Sequence, residues 1–143
     1  MSTSKYYVRG NFFSIKPEKV EAFKLFIKAC GGKTDINLNG QYTFSLEDSI
    51  PSELYDEDEV EKLKEIGIDI DLEIEFDFAQ ILSTFLDGDS VLVVFESVSE
   101  TNKSWVKYAG GSAIAINSKG EKEEIYTDAI YNIAKKLGTF TPL

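Results

Sequence analysis

Residues 68–77 read IDIDLEIEFD, in which Ile68, Ile70, Leu72, Ile74 and Phe76 alternate without a break with Asp69, Asp71, Glu73, Glu75 and Asp77. Successive side chains of a strand point to opposite faces, so a period of two predicts a β-strand with one apolar and one acidic face. A chain containing such a strand is constrained to a sheet with one side packed and the other side wet.

The flanking sequence supplies further elements. KYYVRGNFFSI at 5–15 is aromatic and β-branched and predicts a strand. Pro17 suits a first helical turn, and Val20, Phe23, Ile27 and Cys30 then recur at helical spacing until Gly31-Gly32 ends the run. TDINLNG at 34–40 reads as a turn-rich connection into a half-buried strand, where Tyr42, Phe44 and Leu46 alternate with Thr43 and Ser45. After a loop around Pro51, Asp56 and Glu59 have the spacing of a capping box before Val60, Leu63 and Ile66, and Gly67 stops that helix.

Asp77 and Gln80 fit an N-cap and its N3 partner for a third helix, with Phe78, Ile81, Leu82, Phe85 and Leu86 as its stripe and Gly88 at its end. VLVVFESVS at 91–99 is apolar on both faces at first and predicts a central strand. Glu100–Lys103 reads as a hairpin loop into SWVKYA, and SAIAINS and EKEEIY follow as strands. Thr127 is placed to cap a last helix carrying Ile130, Ile133, Ala134 and Leu137.

This order predicts one α+β domain over 1–143, a largely antiparallel sheet of about six strands with three to four helices packed mainly on one face, and loose ends at 1–4 and 139–143. Asp69, Asp71, Glu73 and Glu75 would then line the wet side of the sheet.

The chain has 25 acids against 15 bases, a formal net charge of −10. Direct binding of nucleic acid or an anionic membrane needs a basic surface, so the natural counterpart is a basic partner or a cation. Cys30 is the single cysteine, which removes disulfides and multi-cysteine metal sites and fits a reducing, cytoplasmic setting. Neither a signal peptide nor an 18-residue apolar run is present.

On a strand the acids would stand about 6.6–6.8 Å apart, a row about 20–27 Å long. Each strand of a nucleic-acid duplex carries a phosphate per about 3.4 Å, so mimicry of it would need a second row, for which Asp56, Glu57 and Asp58 are candidates. Against this stands neutralisation by Lys103, Lys107, Lys119 or Lys122 on neighbouring strands.

A calcium ion needs six to eight converging oxygens, which carboxylates one strand repeat apart do not provide, and neither 56–59 nor LDGDS at 86–90 has the pattern of a calcium loop. No metal or cofactor is therefore expected. With no histidine, the usual general base and the Ser-His and Cys-His pairs are absent. Cys30 sits on the apolar side of its helix, as a structural thiol would. Tyr108-Ala-Gly-Gly-Ser112 lacks the spacing of a phosphate loop. Trp105 and Tyr108 point to opposite faces of their expected strand, so one of them can serve as an exposed aromatic anchor.

The leading expectation is a non-enzymatic acidic protein that binds a basic protein surface, with Asp69, Asp71, Glu73 and Glu75 steering and Trp105 or Tyr108 anchoring. Its sharper form is an inhibitor of a nuclease or other nucleic-acid-binding protein by nucleic-acid mimicry. In size and charge the chain resembles small acidic inhibitors made by phages against host defence and immunity proteins that neutralise nuclease toxins. The alternative expectation is a small-ligand module using Arg9, aromatics and the Gly110-Gly111 amides; the third is a carboxylate- and metal-dependent hydrolase. An exposed sheet edge would also allow a homo-oligomer.

Overall fold

A computed structural model describes residues 6–47, 49–98, 112–125 and 130–141. The expected anchors Trp105 and Tyr108, the loop at 100–103, Gly110-Gly111, Lys103 and Lys107, the Thr127 cap and the tail at 1–4 lie outside the described residues. The rest is α+β: a six-stranded antiparallel sheet with four helices. In chain order these are β1 (Tyr6–Gly10), a 3-10 turn (Pro17–Lys19), α1 (Val20–Ala29), β2 (Lys33–Ile36), β3 (Tyr42–Glu47), α2 (Glu57–Glu65), α3 (Phe78–Ser83), β4 (Val91–Val98), β5 (Ser112–Asn117), β6 (Lys122–Ile125) and α4 (Ile130–Leu137). The strands lie in the order β2-β3-β1-β4-β5-β6.

Register partners share a face in an antiparallel ladder, which sorts the sheet into two sides. Val8 pairs with Leu46 and Glu96, Leu92 with Ile116, and Val94 with Ile114 on the first side. There Val8, Leu46, Leu92, Val94 and Ile116 join the main core with Phe23, Phe26 and Ile27 of α1, Val60 and Leu63 of α2, and Phe78 and Leu82 of α3. Phe26 is its aromatic centre, with ring centroids 5.8 Å from Phe76, 5.5 Å from Phe78 and 6.4 Å from Phe85.

The second side was expected to be wet, yet much of it is packed. Val91, Val93, Phe95, Ala113 and Ala115 form a second core with Ile130 and Ala134 of α4. The apolar run that begins β4 therefore reports two covered faces. Three helices on one side and one on the other keep the helices mainly on one face.

Other departures are local. Lys33–Ile36 is strand β2 rather than part of a turn, which is confined to Asn37–Gly40. After Gly10 the first expected strand bends, because the Asn11 side chain takes over its hydrogen bonding: Nδ2 donates to Val91 O at 2.9 Å and Oδ1 accepts from Val93 N at 2.8 Å. Gly10 is required where it stands, since a Cβ there would meet the Phe44 ring at 2.5 Å. Residues 139–141, within the expected loose tail, are tied down by Thr139 N donating to Asp89 O and by Gln41 Nε2 donating to Thr141 Oγ1.

The largest departure is at 68–77, which is not a strand. Ile68 and Ile70 are buried and Phe76 half-buried, as the alternation requires, but the backbone turns at 71–74, where Ile74 N donates to Asp71 O at 3.3 Å. Glu73 takes φ +60°, a left-handed conformation more usual for glycine. Alternation needs only an extended chain with one buried side, whereas a strand also needs a neighbour to pair with. This segment has only two such ties, from Glu73 N to Leu54 O at 2.9 Å and from Phe76 N to Ser52 O at 2.8 Å.

Candidate functional site

Charge is distributed unevenly along the chain. Residues 53–77 hold twelve acids and two lysines, and so the whole net charge of −10; elsewhere 13 acids balance 13 bases. This acidic excursion between β3 and β4 is attached by Leu54, Val60, Leu63, Ile68 and Ile70, all buried in the main core. Ten of its twelve acids are exposed and Glu53 and Glu59 half-buried, as the cost of burying an unpaired charge requires.

Several of these acids have local work. Asp56 caps α2 by accepting from Asp58 N at 2.9 Å and Glu59 N at 3.2 Å. Glu57 and Asp58 lie in the first turn, where negative charge complements the helix dipole. Asp77 caps α3 by accepting from Gln80 N and also holds Lys122 at 3.2 Å. Glu53 accepts from the Tyr55 hydroxyl at 2.8 Å, and this bond raises the phenol's pKa.

The expected steering residues divide differently. Asp71 pairs with Lys64 at 2.8 Å, a bond that raises the lysine's pKa. Asp69, Glu73 and Glu75 are exposed and, among the described residues, meet no cation within ion-pair distance. The turn at 71–74 breaks the straight row, so Asp69, Asp71, Glu73 and Glu75 do not reproduce a strand spacing, and they lie on the excursion instead of on a sheet face. Asp56, Glu57 and Asp58 belong to the same excursion, at the cap and first turn of α2.

Sequence reasoning placed Ile66, Leu72 and Ile74 on core-facing stripes and so missed most of the apolar part of this surface, while Tyr55 reads from sequence as a candidate exposed aromatic. Tyr55 is 71% exposed, Ile74 58%, Leu72 38% and Ile66 38%, four of the six large exposed hydrophobic residues described. Alternation implied that Leu72 and Ile74 face the core; the left-handed Glu73 between them carries them out. Between Pro51 and Phe76 the surface dips into an open hollow that Glu75 and Asp77 border. Phe76 and Phe78 also line it, and Asp77 at its border already holds Lys122.

Other chemistry has little footing. Among the described residues no three Cys, Asp or Glu side chains converge as metal ligands would. Cys30, half-buried against the core, has its thiol pKa pushed up to about 12, first by burial and then by Glu59. Such a thiol is a poor nucleophile. Among the described residues no helix is long and apolar enough to cross a membrane. No family model, curated protein or solved structure matches the chain.

Proposed function

We propose that this is a non-enzymatic interaction protein whose acidic excursion, residues 53–77, docks on a basic surface of another protein. The observation that carries this reading is the coincidence of two properties on one segment: the entire net charge and, among the described residues, most of the exposed large hydrophobic side chains. Interfaces use a few apolar or aromatic anchors for lifetime and surrounding charge for steering and register. Tyr55, Leu72 and Ile74 supply the first, and Asp69, Glu73 and Glu75 the second.

The broken row favours recognition of a shaped basic patch over imitation of a regular phosphate array. Nucleic-acid-binding proteins, nucleases included, carry the strongest basic surfaces, and an acidic protein covering one would act as its inhibitor. Competition with nucleic acid would then follow from occupancy of the groove.

The test compares capture by the wild-type protein, by the reversal D69K/D71K/E73K/E75K, and by L72S/I74S, with elution in steps of rising salt. Retention by wild type alone, release by salt, and displacement of the captured protein by a DNA or RNA duplex are expected. Equal retention by all three proteins would place the binding surface elsewhere.

A further inference from the structure

α4 covers β4 to β6 on the second side of the sheet, and the β2-β3-β1 half of that side presents polar residues instead. Lys33 is in register with Ser45, and Ser45 with Arg9, so the three stand in one row across three strands. Neighbouring positions in such a row are about 4.5–5.5 Å apart, close enough for one small anion to touch all three side chains.

Arg9 is half-buried, and its Nε is shielded from solvent and has no hydrogen-bond partner among the described residues. A buried donor of this kind is costly to leave unmet, more so on a charged group. Nearby acceptors do not meet the need. Asp35 Oδ1 accepts from Ile36 N at 2.8 Å, and among the described residues the ion pairs are Lys64–Asp71 and Lys122–Asp77, neither of which involves Arg9 or Lys33. Two adjoining hollows of about 400 and 330 Å³ open here and share Arg9, Lys33 and Ser45 as lining. Glu47 lines the first and Asp35 the second.

We propose that this half of the sheet, which α4 does not cover, binds a small ligand bearing an oxyanion, phosphate or carboxylate, held by the Arg9 guanidinium, the Lys33 ammonium and the Ser45 hydroxyl. A planar guanidinium fork matches the paired oxygens of both groups, and lysine adds a second positive charge. Glu47 and Asp35, one in each hollow, select a ligand whose body carries hydroxyl or amino donors. The hollows are of the size that small-metabolite sites occupy. This site is separate from the acidic excursion and does not depend on the docking reading.

The experiment is a titration of the full chain, followed by backbone amide NMR, with inorganic phosphate, ribose 5-phosphate and gluconate as probes. Saturable shifts at the Arg9, Lys33 and Ser45 amides are expected, with affinity reduced about tenfold or more by Arg9→Met or Lys33→Ala. A preference for ribose 5-phosphate identifies a phosphate ligand, and a preference for gluconate a carboxylate. No saturable shift with any probe, or shifts unchanged in Lys33→Ala, would overturn the proposal. Lys33 is exposed, so that variant keeps the test decisive if Arg9→Met does not fold.

Discussion

Asn11 shows how one polar side chain can hold a fold together. It is fully buried, donates to Phe12 O and Val91 O, and accepts from Val93 N, so its amide stands in for a missing stretch of sheet ladder. Asn11→Ala would leave Val91 O and Val93 N without partners, and urea unfolding should show a loss of about 2–4 kcal/mol. Glu73 is the opposite case, an exposed residue in a left-handed conformation that costs about 1–2 kcal/mol for an ordinary side chain. Glu73→Gly should stabilise the protein by about 0.5–1 kcal/mol, less than the full strain because glycine gains freedom in the unfolded chain. Thermal unfolding would read this as a higher midpoint. Cys30 gives a pH dependence whose sign follows from its raised pKa. Well below pH 9 the thiol is protonated in both states and nothing is lost, while near pH 8 a small thiolate fraction exists only in the unfolded chain. Between pH 9 and about 12 only the unfolded chain ionises, so stability falls as pH rises through that window. At pH 8 iodoacetamide should accordingly alkylate the folded protein far more slowly than the urea-unfolded chain.

Among the elements, the caps and stripes were legible in the sequence because they depend on neighbours a few residues away. Asp56 and Asp77 cap the helices they were expected to cap, and Val60, Leu63, Phe78 and Leu82 turn inward. The reading of 68–77 as a strand failed for a reason the residues themselves could not reveal. Pairing is a long-range property, and although Lys122 of edge strand β6 reaches Asp77, the described sheet forms no ladder with 68–77. What holds the excursion is burial, and Ile70 is one of its main attachments, only 2% exposed. Ile70→Ala should cost about 2–5 kcal/mol, and it should increase cleavage within 53–77 in limited proteolysis before the sheet is attacked. Protection of the excursion equal to that of wild type would show that its two backbone ties to Ser52 and Leu54 suffice.

At the scale of the whole molecule, a net charge of −10 gathered on one segment predicts steered association with a basic partner. Stopped-flow rates for wild type should fall steeply between low and physiological salt, whereas the reversal D69K/D71K/E73K/E75K should remove or invert that slope. L72S/I74S should instead shorten the lifetime of the complex while leaving the salt slope in place. The acids proposed to steer were legible in the sequence as a cluster, and their geometry was not. Leu72 and Ile74, the proposed apolar anchors, were assigned to the core, because alternation records which residues differ and not which way a turn will send them. The chain's own sequence determined the α+β class, the helix starts at Asp56 and Asp77, most of the antiparallel strands and the segregation of charge, since these follow from local periodicity and composition. The third helix, expected to run to Gly88, stops at Ser83 because Leu86 bridges to Ile15. Tertiary structure alone decided that α4 would cover half of the second sheet face, that 68–77 would turn outward instead of joining the sheet, and that Lys33, Ser45 and Arg9 would meet in one row. Each of these depends on which distant segments compete for the same backbone partners and the same apolar surface.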